Sequence, residues 1–241
     1  MIYDIPRFNS PINQSVLSLV SAWVHDLPVE SAELARLDTV RPETFSWHDL
    51  YKFLVNLIAE AEQSTPGHSQ RVAELSLRCG VALGLKPHEL RLLYWGGALH
   101  DLGKLALAWD VLHKPGPLSA DEWDLVRQHP VWGCEAVTLM LNNPQLAQTV
   151  LTHHERWEGG GYPNDLKADE IPLHGRIVAI ADTFDALTTI RSYKQAVTQE
   201  KAMDIIENEG GLQFDPELVI KILASGVLKS NQPGRKYPDV G

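Results

Sequence analysis

The sequence predicts an all-α fold, and three observations carry that expectation. Apolar residues recur at helical spacing in nearly every segment. Pro, Gly, Asn, Asp and Ser fall between these segments at positions that suit helix starts and stops. No stretch alternates apolar and polar residues as a half-buried strand would. With 241 residues, 44% of them apolar, the chain has enough material for the core of one sizeable domain. Charged residues at 22% and seven tryptophans fit a folded protein, not a disordered one.

In order along the chain, residues 15–27 and 31–37 read as short helices, punctuated by Pro28 and Pro42. Residues 1–44 are too short for an independent sensor domain and are expected to pack on the main body or on a dimer partner. Trp23 and His25 read as structural. Ser46 opens a longer helix in which Leu50, Phe53, Leu54, Leu57 and Ile58 form one stripe, ending at the turn Ser64-Thr65-Pro66-Gly67. The next helix starts at His68 and runs through Val72, Leu75, Leu77 and Val81 to Gly84. Pro87 suits the first turn of the helix that leads, through the apolar run 92–99, to His100-Asp101-Leu102-Gly103-Lys104.

Residues 109–118 read as a loop, and Ser119 with Glu122 as a capping box for the following helix. That helix delivers Gln128-His129-Pro130, where Pro130 breaks or kinks it. Asn143-Pro144 starts a helix ending at His153-His154-Glu155-Arg156, and a glycine-rich loop follows over 157–163. Residues 172–187 form a helix carrying Asp182 and Asp185. Residues 198–207 form another, and Asp215-Pro216 caps and starts the last one. The polar tail is expected to be mobile. The division expected is an extension over 1–44, one domain over 45–228 and the tail over 229–241.

A net charge of −10 argues against duplex nucleic acid as a partner, whose binding draws on clustered Lys and Arg. It leaves room for a small phosphorylated ligand held by metal and a few local cations. Cys79 and Cys134 form no CxxC pattern and read as buried thiols of a reducing compartment. Met1-Ile2-Tyr3-Asp4 lacks a basic n-region, and the apolar stretch 16–27 is short and contains His25 and Asp26. Neither a signal peptide nor a membrane span is expected, and the cytoplasm is the expected compartment.

The adjacent His100 and Asp101 follow a run that would be buried, where an ionised Asp is costly unless paired or metal-bound. His68, His129, His153, His154 and Asp182 lie near the ends of other helical segments, which is how helical folds project ligands inward. Five imidazoles and two carboxylates exceed the needs of one metal and suit two, with Asp101 as the candidate bridge. Two ions about 3.5–4 Å apart hold a hydroxide nucleophile and clamp a phosphoryl oxygen. Mixed N/O ligation favours Mn or Fe over a structural zinc site.

These pieces, in this order, resemble the HD-GYP family, a branch of the HD phosphohydrolases. The matching stretches begin with His68-Ser69-Gln70-Arg71-Val72, His100-Asp101-Leu102-Gly103-Lys104 and Leu112-His113-Lys114-Pro115-Gly116. They continue with His129-Pro130-Val131-Trp132-Gly133, His153-His154-Glu155-Arg156, Gly161-Tyr162-Pro163 and Ile171-Pro172-Leu173. Ala181-Asp182-Thr183-Phe184-Asp185-Ala186-Leu187-Thr188 and Phe214-Asp215-Pro216 close the set, which spans about 46–228.

The resemblance implies an HD-domain helical bundle with an added C-terminal helical region, two divalent ions, and hydrolysis of cyclic di-GMP or a related cyclic dinucleotide to the linear dinucleotide or GMP. By motif, His68, His100, Asp101, His129, His153, His154 and Asp182 resemble the metal ligands. Lys104 resembles a phosphate-contacting lysine, whose charge would stabilise the transition state. Asp185, Arg191, Lys194 and Tyr162 resemble substrate contacts. The Gly161-Tyr162-Pro163 loop would touch substrate or a partner such as a diguanylate cyclase. Ser64 stands where some members place a third-metal Glu, so two metals are expected, and Ser192 replaces a frequent Pro.

Plainer roles stand beside these. His25, His48, His88, His113 and His174 read as surface or structural. Asp185 is alternatively a salt-bridge partner of Arg191 or Lys194, and Tyr162 a packing residue of its loop. Glu155 and Arg156 either orient the His pair from behind or form a surface ion pair. The tryptophans read as core or rim, with Trp157 the one placed to meet substrate. Rival functions are an HD phosphohydrolase for another nucleotide and a non-catalytic cyclic-dinucleotide sensor or interaction module.

Overall fold

A computed structural model describes residues 54–56, 58, 67–190 and 195–229. The expected helices at 15–27 and 31–37, residues Arg191, Ser192 and Lys194, and the tail from 230 lie outside the described residues. The helix expected from Ser46 is described only at 54–56 and 58, where the backbone is helical and Leu54 and Ile58 are buried.

The described residues are helical, with no strand beyond a single local bridge between Gly210 and Phe214. In chain order the helices are α1 (His68–Ala82), α2 (Pro87–Leu99), α3 (Trp109–Leu112), α4 (Ala120–Val126), α5 (His129–Leu141), α6 (Pro144–Thr152), α7 (Leu173–Thr188), α8 (Gln199–Asn208) and α9 (Pro216–Ala224). A tight 3-10 turn, Leu102–Ala106, follows α2, and a single turn, Ala168–Glu170, precedes α7. None of these helices is long and apolar enough to cross a membrane.

The starts are set by side chains that satisfy free backbone N–H groups. Ser119 and Glu122 form the expected reciprocal box at α4. Asn143 Oδ1 accepts from Leu146 N, Thr198 Oγ1 from Lys201 N, and Asp215 Oδ1 from both Glu217 N and Leu218 N. Each such cap contributes about 1 kcal/mol. Two boundaries differ from expectation. Residues 109–112 form the short helix α3 inside the stretch read as loop. His129 opens α5 instead of closing α4, because Pro130, which lacks an N–H, is tolerated in a first turn where that group needs no partner.

α1 packs on α2, and α7 lies against both. On one side a core of Val72, Leu93, Ile177, Ile180, Phe184, Ile206 and Phe214 joins α1, α2, α7, α8 and α9. On the other, Leu99, Leu102, Val137, Met140, Leu146 and Val150 join the end of α2 to α5 and α6, with Leu54 and Ile58 against them. Cys79 is buried and Cys134 half-buried, both as free thiols. Burial pushes the Cys79 thiol up to about 12, so it packs as a small apolar group.

The closest approach in the fold brings the 3-10 turn onto the start of α5. A Cβ on Gly103 would collide with the His129 carbonyl oxygen and lie 2.6 Å from Gly133 N, both rigid backbone atoms. This contact sets the spacing between Asp101 and His129. Gly103→Ala is therefore expected to destabilise the protein by about 3 kcal/mol, the upper end for overpacking, read as a lowered thermal midpoint. An unchanged midpoint would mean that the two elements do not depend on this contact.

Candidate metal centre

Four helix ends point at one place. His68 is the first residue of α1, His100 caps the C-terminus of α2, His129 opens α5, and His153 caps α6 with His154 next to it. Asp101 lies between α2 and the 3-10 turn, and Asp182 projects from α7. Ligand atoms of His68, His100 and Asp101 lie within 4.8 Å of one another, as do those of Asp101, His129, His153 and His154. Asp101 belongs to both groups. Its Oδ1 is 3.2 Å from His129 Nε2, and its Oδ2 is 3.3 Å from His100 Nε2 and 3.8 Å from His68 Nε2. Asp182 Oδ1 is 3.3 Å from His68 Nε2 and 3.8 Å from His100 Nε2. The seven residues singled out by spacing and motif are thus brought together.

The rings are oriented from behind. His100 Nδ1 donates to Gly97 O at 2.7 Å, His129 Nδ1 to Val126 O at 2.7 Å, and His153 Nδ1 to Val150 O at 2.6 Å. Each acceptor is the carbonyl three residues earlier, at the C-terminal end of α2, α4 or α6, where backbone oxygens lack helical partners. A carbonyl only accepts, so a proton is on Nδ1 and Nε2 faces the cluster. His129 Nε2 and His153 Nε2 consequently sit 3.3 Å apart, lone pair to lone pair. Burial, with the neighbouring histidines, drives the His153 pKa well below its usual value and that of His154 down to about 3, so both stay neutral.

These observations test whether the residues fit metal ions. His100 Nε2 and Asp101 Oδ1 are buried without a hydrogen-bond partner, and Asp101 is 2% exposed. Facing lone pairs and an orphaned carboxylate oxygen repel unless a cation lies between them. Burial alone would raise the Asp101 pKa, but His100 and Lys104 outweigh it and hold the carboxyl ionised. Asp182 is likewise held low against its burial, by His68 and His100. The neutral imidazoles of His129, His153 and His154 beside ionised Asp101 are in the protonation states that divalent cations bind. The arrangement fits two such ions sharing Asp101.

Asp185 is engaged from behind the cluster. It is 3% exposed, and its oxygens accept from His68 Nδ1 at 2.8 Å, Arg71 Nε at 2.6 Å, Arg71 Nη2 at 3.0 Å and Thr189 Oγ1 at 3.3 Å. With both oxygens engaged it stands behind His68. Of its expected partners, Arg191 and Lys194 lie outside the described residues. Burial would lower the His68 pKa, but hydrogen bonds to Asp182 and Asp185 lift it to about 10. The His68–Asp185–Arg71 chain orients the ring as carboxylates do behind metal-bound histidines. Arg71 was missed in the sequence. The signal was its place one turn beyond His68 on the same helix face.

Glu155 takes neither role expected of it, while Arg156 does enter surface ion pairs. Buried Glu155 accepts from Asn164 N at 2.7 Å and Leu166 N at 3.0 Å, tying down the loop after the His pair. Arg156 pairs with Glu158 and Glu209. Tyr162 N donates to His154 O at 3.2 Å, and the Tyr162 ring lies 4.7 Å from the His154 ring, tilted by 30°. Gly161 is needed here because a Cβ would lie 2.5 Å from Arg156 N and 2.6 Å from Glu155 Cα. Trp157 lies under the Arg176 guanidinium at 5.4 Å, and Arg176 bonds Asp215 Oδ2 at 2.7 Å, so Trp157 anchors the loop to α7 and α9. Lys104, 33% exposed, lies at the rim with Nζ 2.5 Å from Asp101 Oδ2.

A family model described as "HD domain" matches residues 52–218. Over 172 residues the chain is 40% identical to a 3′3′-cGAMP-specific phosphodiesterase of Vibrio cholerae, covering 70% of this chain and 33% of the relative. Over 195 residues it is 35% identical to a cyclic di-GMP phosphodiesterase of Thermotoga maritima, covering 78% of this chain and 53% of the relative. The chain thus spans between a third and about half of the length of these relatives. A crystal structure of a cyclic GMP-AMP-specific phosphodiesterase of Vibrio cholerae shares the fold, with a TM-score of 0.56 at 22% identity over 76% of this chain and 51% of that one.

Replacing Asp185 tests the orienting role. Asp185→Asn is expected to lower affinity for Mn²⁺ about 10–100-fold while the thermal midpoint of the metal-free protein stays near wild type. The measurement is competition against a chromogenic chelator, and wild-type affinity would place Asp185 outside the metal site.

Proposed function

This chain belongs to the HD domain family, in its HD-GYP-like part, and from that premise we propose that it is a metal-dependent phosphodiesterase acting on a cyclic dinucleotide, cyclic di-GMP or 3′3′-cGAMP. The observation that carries this reading is Asp101 shared between two groups of imidazoles. Two divalent ions there supply a nucleophile at neutral pH and a clamp for the phosphoryl oxygens. The mixed nitrogen and oxygen ligands favour Fe or Mn. A pure binding module has no need of such a centre, which speaks against the sensor reading. The domain is taken as residues 45–228.

In this reading His68, His100, Asp101 and Asp182 would hold one ion, and Asp101, His129, His153 and His154 the other. Water adds to a phosphodiester phosphorus, the bond to the 3′ oxygen breaks, and that oxygen takes up the proton the water loses. Lys104, at the rim, offers an ammonium to the developing negative charge on the phosphoryl oxygens. Tyr162, packed on His154, walls the cluster on the side of the glycine-rich loop. Its inward packing supports the wall over a docking loop for a diguanylate cyclase.

The direct test is turnover of cyclic di-GMP and 3′3′-cGAMP by protein purified without oxygen, with bound metals quantified in the same sample. Linear product with about two ions per chain is the expected result. Metals without product from either nucleotide would overturn the proposed substrate class. Asp101→Ala is expected to lose metal and activity together, and retention of both ions by elemental analysis would rule out the shared carboxylate. Lys104→Ala should keep the metals and slow turnover by about one to three orders of magnitude, and an unchanged rate would remove Lys104 from the chemistry.

A further inference from the structure

α4 is unusual among the described helices in burying none of its residues, yet it carries Trp123 at 50% exposure. Ala120, Trp123, Asp124 and Arg127 line an open cleft of about 270 Å³. Among the described residues no hydrogen bond or ion pair engages the Asp124 carboxylate. The cleft is joined to the metal centre by a chain of contacts. Arg127 lies over the Tyr162 ring at 5.8 Å, and Tyr162 lies against His154. In the reading above, a nucleotide with its phosphate at the metal centre has this cleft on the far side of Tyr162.

The three side chains present one flat apolar face, one acceptor and one donor fork. We propose that the cleft is a guanine subsite: Trp123 stacks on the base, the Asp124 carboxylate accepts from its N1–H and N2–H₂, and Arg127 donates to O6 and N7. Guanine is the base whose edges combine adjacent donors with the O6/N7 acceptor pair that suits a guanidinium. Adenine offers one amino donor and would turn its unprotonated N1 toward the carboxylate. With one acidic and one basic side chain beside an aromatic face, the cleft suits a neutral base better than a phosphate. The inference rests on the cyclic-dinucleotide reading above and adds selectivity to it, favouring guanine over adenine at this position.

The test uses GMP and AMP, which contain no diester to hydrolyse, titrated calorimetrically into the Mn²⁺-loaded protein, its Trp123→Ala and Asp124→Asn variants. Cyclic di-GMP turnover is measured on the same wild-type preparation. GMP is expected to bind wild type about tenfold tighter than AMP. Asp124→Asn should erase that difference, and Trp123→Ala should weaken GMP about tenfold, as loss of one stacking platform does. Neither variant should change the circular dichroism spectrum, because α4 buries no side chain. Equal or absent binding of GMP and AMP by wild type, or wild-type GMP affinity in Trp123→Ala, would overturn the subsite. Cyclic di-GMP turnover without a GMP preference removes the subsite and leaves the phosphodiesterase. A GMP preference that both variants lose, without turnover, supports the subsite and removes the phosphodiesterase.

Discussion

A carboxylate with 2% exposure, packed among imidazoles, is the constraint around which the described fold is arranged. An ionised group in such surroundings costs several kcal/mol unless opposite charge reaches it. Within the protein that charge comes in part from Lys104 Nζ at 2.5 Å. The remaining Asp101 oxygen finds no hydrogen-bond donor. The centre is therefore built against its own stability in the metal-free state. Energy stored this way is returned when cations bind, so occupancy and stability are linked.

The helices solve the orientation problem with their own ends. Carbonyls at the C-termini of α2, α4 and α6 have no helical partner, and the histidine three residues on supplies one through Nδ1. One hydrogen bond thus closes a helix end, selects a tautomer and aims a lone pair inward. His68 begins its helix and has no such carbonyl behind it, so a side chain, Asp185 backed by Arg71, serves in its place. The difference follows from which end of the helix carries the ligand.

The loop after α6 is held just as firmly. Glu155 gathers two backbone N–H groups, Trp157 lies beneath Arg176, and Gly161 lets the chain press against the backbone of Glu155 and Arg156. This fixes Tyr162 between the ligand His154 and Arg127 of α4. The rim thereby couples a polar metal centre to an exposed aromatic on a helix that contributes nothing to the core.

Helical class, most caps and the seven clustered His and Asp residues were legible in the sequence, because each depends on local spacing. The 3.6-residue period, the Ser119–Glu122 box and the adjacency of His100 and Asp101 act over a few residues and survive without knowledge of the fold. Roles that depend on distant partners were not legible. Asp185 bonds His68 across 117 positions, which no local pattern encodes. Glu155 serves backbone groups 9 and 11 residues away, fixed only once the loop is folded. The start of α5 at His129 shows the same boundary at short range, since Pro130 suits a helix start and a helix break alike. The sequence by itself determined which His and Asp residues form the cluster. Tertiary structure decided which of them meet ligand and which stand behind, because burial and hydrogen-bond geometry exist only after the helix ends converge.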